Sequence, residues 1–101
     1  MKLIDVRTSD GSRQFVCLPN SATRQALREH VALLPGLEVV NFVAEGRAEA
    51  WLAFTYFGHR FAVRNGGGEF CFFVSDPRCS DLILYQVAAH CEQLLGGTAA
   101  G

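Results

Sequence analysis

Residues 51–74, W-L-A-F-T-Y-F-G-H-R-F-A-V-R-N-G-G-G-E-F-C-F-F-V, decide the fold. They hold eight of the chain's aromatic residues, and most of the apolar positions alternate. Alternation is the period of a strand with one buried face. Three runs emerge: A-W-L-A-F-T-Y-F (50–57), R-F-A-V-R (60–64) and E-F-C-F-F-V (69–74). A two-residue turn at Gly58-His59 pairs Tyr56 with Phe61 and Phe54 with Val63. A second turn at Gly66-Gly67 pairs Val63 with Phe70, Phe61 with Phe72 and Arg64 with Glu69. Both turns put Leu52, Phe54, Tyr56, Phe61, Val63, Phe70, Phe72 and Val74 on one face, which predicts the core.

The opposite face of this meander is the informative anomaly. It receives Ala53, Thr55, Ala62, Arg64, Glu69 and Cys71, together with Trp51, Phe57, Arg60 and Phe73. A solvated sheet face alternates to polar residues. Trp, Phe and Arg are the types enriched where proteins meet. Trp51, Phe57, Arg60 and Phe73 are therefore the candidate interface, centred on a Phe57–Arg60–Phe73 row.

Upstream, residues 2–8 and 13–18 flank S-D-G-S. A turn centred on Asp10-Gly11 sets Val6 opposite Phe15 and Ile4 opposite Cys17, all on one side. Asn20 or Ser21 caps a helix running to about Leu34, with Thr23, Leu27, Val31 and Leu34 as its stripe. Pro35-Gly36 stops it. Residues 37–44 read as a strand of ambiguous face: either Val40 and Phe42 point inward, or Leu37, Val39 and Val43 do. Downstream, Ser80 caps a second helix, with Asp81 placed for its dipole, that runs to about Leu95. Its stripe is Ile83, Leu84, Val87, Ala88, Cys91, Leu94 and Leu95, and Leu82, Tyr85 and Ala89 widen it beyond what one contact needs.

The class is α+β: a two-layer arrangement with a mostly antiparallel sheet, order β-β-α-β-β-β-β-α, and two helices packed on it. The layout is broadly similar to small profilin-like, helix-grip and secretion-chaperone domains, a likeness that carries no function. Residues 1–95 make one domain, and 96–101, G-G-T-A-A-G, a flexible C-terminal tail.

Composition narrows the function classes. The net charge is −1 with no basic run, which argues against nucleic acid as a partner. No stretch approaches the ~20 apolar residues of a membrane span. The start, M-K-L-I-D-V-R, has no long apolar stretch of a signal peptide, so a cytoplasmic protein is expected. Cys17, Cys71, Cys79 and Cys91 are then expected as reduced thiols.

Little chemistry is written in the chain. His59 is a turn histidine with no partner in reach, and His90 and Cys91 are helix neighbours pointing about 100° apart. No metal-ligand spacing occurs, and 65–69, N-G-G-G-E, opens no helix that would hold a phosphate. Cys79, just before the Ser80 cap, is the thiol expected to react first. No catalytic residue, cofactor or metal is assigned. The expected function is a small cytoplasmic protein-interaction module, homodimeric and without catalytic activity. The alternative is a small apolar-ligand-binding domain with a pocket between sheet and helices. A minor enzyme activity using Cys79 or His59 comes third.

Overall fold

A computed structural model of the chain describes residues 2–96. The strands are β1 (Val6–Arg7), β2 (Arg13–Pro19), β3 (Glu38–Phe42), β4 (Leu52–Tyr56), β5 (His59–Gly66) and β6 (Glu69–Val74). The helices are α1 (Arg24–Val31), between β2 and β3, and α2 (Asp81–Leu95), after β6. The strands form one sheet in the order β1-β2-β6-β5-β4-β3, and every pairing is antiparallel. This is an α+β fold with the expected element order. Most of the expected tail lies outside the described residues.

The meander keeps its faces and changes its register. Tyr56 pairs with His59, Phe54 with Phe61 and Leu52 with Val63, two residues from the expected pairing. The turn is Phe57-Gly58, both at positive φ (51° and 76°), which matches the twist that two-residue hairpins require. The next hairpin shifts likewise: Val63 pairs with Phe72 and Arg64 with Cys71, around Gly67-Gly68. A shift of two preserves which side each residue faces. All eight predicted core residues of the meander are accordingly buried. Phe54 stacks on Phe61 at 5.2 Å, and Phe15 meets Phe61 edge-on at 5.8 Å.

The N-terminal hairpin departs further. Val6 pairs with Gln14, not Phe15, and Arg7 with Arg13. Thr8, Asp10 and Ser12 bond one another across a longer loop, closed by Thr8 N–H to the Ser12 carbonyl at 2.9 Å. A one-residue slip reverses the faces, so Val6 and Ile4 are exposed. A bulge between Gln14 and Val16 then lets Phe15, Val16 and Leu18 all enter the core. Arg13 anchors this end: its guanidinium donates to the Ile4 carbonyl at 2.8 and 3.1 Å and to Asp81 at the start of α2 at 3.0 Å.

The first helix starts later than expected. Thr23, assigned to the apolar stripe, is the N-cap, its hydroxyl accepting from Ala26 N–H at 3.0 Å. Ser21 instead donates to the Leu95 carbonyl at 2.7 Å, tying the two helix ends together. The second helix has the expected cap and end. Leu27 and Val31 of α1 and Leu84, Val87, Ala88, Cys91 and Leu95 of α2 close the core on one side of the sheet. In β3 a bulge between Val39 and Asn41 resolves the ambiguity: Val39 and Phe42 pack on the core, and Val40 is exposed.

Candidate functional site

Both helices pack on the same side of the sheet. Among the described residues no helix lies over the other side. The register sets its rows. The central row runs Asn41–Ala53–Ala62–Phe73–Gln14–Val6 across all six strands. On one side of it lies Glu38–Thr55–Arg60, and on the other Arg64–Cys71–Cys17. Small residues at 53 and 62 make the middle of this face flat, with the Phe73 ring beside them.

The expected interface residues separate in space. Phe57 is 67% exposed, but it sits in the turn, edge-on to Tyr56 at 4.7 Å. The Tyr56 hydroxyl donates to Gln86 of α2 at 3.1 Å, so the strand end that leads into this turn is tied to the helix layer. Arg60 is exposed and pairs with Thr55. Phe73 lies opposite Ala62, so the Phe57–Arg60–Phe73 row does not exist. Its ring is covered by Arg64, whose guanidinium carbon stands 4.5 Å from the ring centroid. Asp10 at 3.7 Å and Glu49 at 3.5 Å hold that guanidinium from two loops.

Trp51 is not on this face. It is fully buried, just ahead of β4 and packed against the core. Its ring meets Phe70 at 5.1 Å and Phe42 at 6.2 Å, and Nε1 donates to Asn65 Oδ1 at 3.1 Å. Arg24 of α1 lies over it at 5.4 Å. Strand alternation extended one residue too far carried Trp51 to the wrong side.

Two groupings were invisible in the sequence. Cys17 and Cys71 are direct cross-strand partners, and the Cys17 thiol donates to Cys71 Sγ at 2.8 Å. Gln14 Nε2 donates to Cys17 Sγ at 3.0 Å. Burial, the bond to Cys71 and the nearby charges of Cys71 and Glu69 push the Cys17 thiol up to about 12, against the opposing Gln14 bond. The second grouping joins the helices. His30 and His90 stack at 4.2 Å with their planes 15° apart, and each Nε2 lies 2.6 Å from the other's backbone carbonyl. A carbonyl only accepts, so each Nε2 carries the hydrogen.

The two candidate reactive side chains stand elsewhere. Cys79, expected to be the accessible thiol, is buried at 4% exposure. Burial, and then Asp76, push its thiol above the ordinary range, and the same burial keeps reagents away from it. His59 is half-buried as the first residue of β5. All four cysteines are free thiols. Among the described residues no group of three or more His, Cys, Asp or Glu side chains is placed to hold a metal, and no helix is long and apolar enough to cross a membrane. Compared with protein-family models, curated proteins and solved structures, the chain matches none.

Proposed function

We propose that the chain is a small cytoplasmic protein-interaction module, without catalytic activity of its own, that docks a second copy of itself on the helix-free sheet face. The observation that carries this reading is the central row. Ala62 is half-buried at the middle of a face that neither helix covers, flanked in its row by Ala53 and Phe73, each only 7% exposed, with Arg64 lying over the Phe73 ring. The surround carries both signs, with exposed Arg60 against exposed Glu38 and Glu69. A twofold contact sets a patch against itself, so a patch of mixed sign can pair its own charges. Free thiols throughout fit a reducing compartment. The apolar-ligand alternative has no comparable support. The space between sheet and helices is filled by side chains, and no pocket opens among the described residues.

The sharpest test is Ala62→Glu. The side chain lies at the centre of the row and is half-exposed, so the fold tolerates the change. Light scattering should give twice 11.0 kDa for the parent and 11.0 kDa for the variant, with identical far-UV circular dichroism. A parent of single-chain mass overturns self-association and leaves a different protein as the occupant to seek. A folded variant that keeps the dimer mass removes this face from the contact.

A further inference from the structure

Cys17 and Cys71 carry an inference that rests on the placement of two sulfurs within one chain. Directly opposed residues of an antiparallel pair have Cα atoms ~4.5–5.5 Å apart. That range lies inside the ~4.4–6.8 Å a disulfide spans. The sulfurs already stand 2.8 Å apart, against about 2.05 Å in the bond itself. Both strands are interior to the sheet, held by β1 and β5 on their outer sides, so the separation is fixed by the ladder. Gly66 of β5 leaves the space that Cys71 Sγ fills: a Cβ there would stand 2.7 Å from the sulfur.

We propose that Cys17 and Cys71 are a dithiol site that a low-molecular-weight disulfide, such as oxidised glutathione, converts to an intrachain disulfide on the helix-free face. Cys17 is the attacking thiol, being half-exposed where Cys71 is buried at 9%. Gln14 donates to the Cys17 sulfur and favours its thiolate. The thiolate attacks one glutathione sulfur, the glutathione S–S bond breaks, and one glutathione thiolate leaves. Cys71, as thiolate, then attacks the Cys17 sulfur of the mixed disulfide, and the second glutathione leaves. Two cysteine thiols are oxidised, one glutathione disulfide is reduced, and the two cysteine protons pass to the two departing thiolates.

The neighbours set the character of the site. Glu69 lies two residues from Cys71 on β6, and Arg64 is the partner of Cys71 on β5. Arg64 is held over Phe73 by Asp10 and Glu49, so its charge is already shared with two carboxylates. With the Cys17 thiol raised by burial and by its bond to Cys71, attack is slow near neutrality and accelerates as pH rises.

The test uses the whole reduced chain and oxidised glutathione at mildly alkaline pH, with folding verified by circular dichroism. Thiols titrated after denaturation should fall from four to two, and a non-reducing peptide map should join Cys17 to Cys71. Tm should rise by at least about 5 °C, because the bond closes a long loop of the unfolded chain. Cys71→Ala should stop at a glutathione adduct on Cys17. Gly66→Ala should turn the Cys71 sulfur aside and slow closure at least about tenfold. A folded parent that keeps four thiols, halts at the adduct, or links two chains through these cysteines overturns the proposal.

Discussion

Trp51 decides between two physical roles, and truncating it tells them apart. The indole is fully buried, edge-on to Phe70 and Phe42, with Arg24 over its face. Trp→Ala at such a site costs ~3–5 kcal/mol through lost transfer energy and the cavity left behind. The Nε1 bond adds little, because its acceptor Asn65 is exposed and water replaces the donor. Phe42 is only half-buried and can relax into part of the space. The expected loss is therefore near the middle of the range, about 4 kcal/mol, against roughly 5–15 kcal/mol for a whole domain. At ~4–8 °C per kcal/mol, Tm should fall by about 15–30 °C. Urea unfolding followed by far-UV circular dichroism measures it, with Trp51→Phe as the mild control at about 1–2 kcal/mol. If Trp51→Ala unfolds within about 0.5 kcal/mol of the parent, the indole is not a core side chain and the burial argument fails.

Two further outcomes follow from side-chain groups away from the sheet centre. His30→Ala and His90→Ala should each cost about 1–2 kcal/mol, and the double variant should lose less than their sum by ~0.5–1.5 kcal/mol. Strict additivity would mean the stacked pair contributes nothing as a pair. Asp10 is held below the usual carboxylate range, first by Thr8 and Ser12 and least by Arg64. A depressed folded value gives stability that is present above the unfolded carboxylate pKa of about 3.9 and is lost as pH falls towards the folded value. Denaturant midpoints should therefore drop on acidification below about pH 4 and drop less in Asp10→Asn; equal acid sensitivity refutes the assignment.

The sequence made the side of each meander residue legible because strand alternation has period two. Either choice of turn residues preserved the faces, so the core was right while the pairs were wrong. The choice itself depended on Phe57 at positive φ, a conformation bulky residues rarely adopt, and on three consecutive glycines that fit either turn. The N-terminal hairpin had no such protection. Its loop is set by hydroxyl and carboxylate bonds among Thr8, Asp10 and Ser12, and a one-residue difference reversed Val6. The site suffered most. Cys17 and Cys71 meet through the β2–β6 pairing, and His30 and His90 through helix packing, and no local turn rule reaches either contact.

The two borders of the sheet differ from its face in what they permit. One border strand is two residues long, and the other is broken by a bulge with Val40, Asn41 and Glu38 turned outward. Neither presents the straight row of free N–H and C=O groups that templates another strand. Growth through the borders would be open-ended, each added chain offering a new border to the next. A flat face meeting its own copy is used up in one event. The bulge thus bears on more than local geometry: it disfavours edge-to-edge growth into a filament.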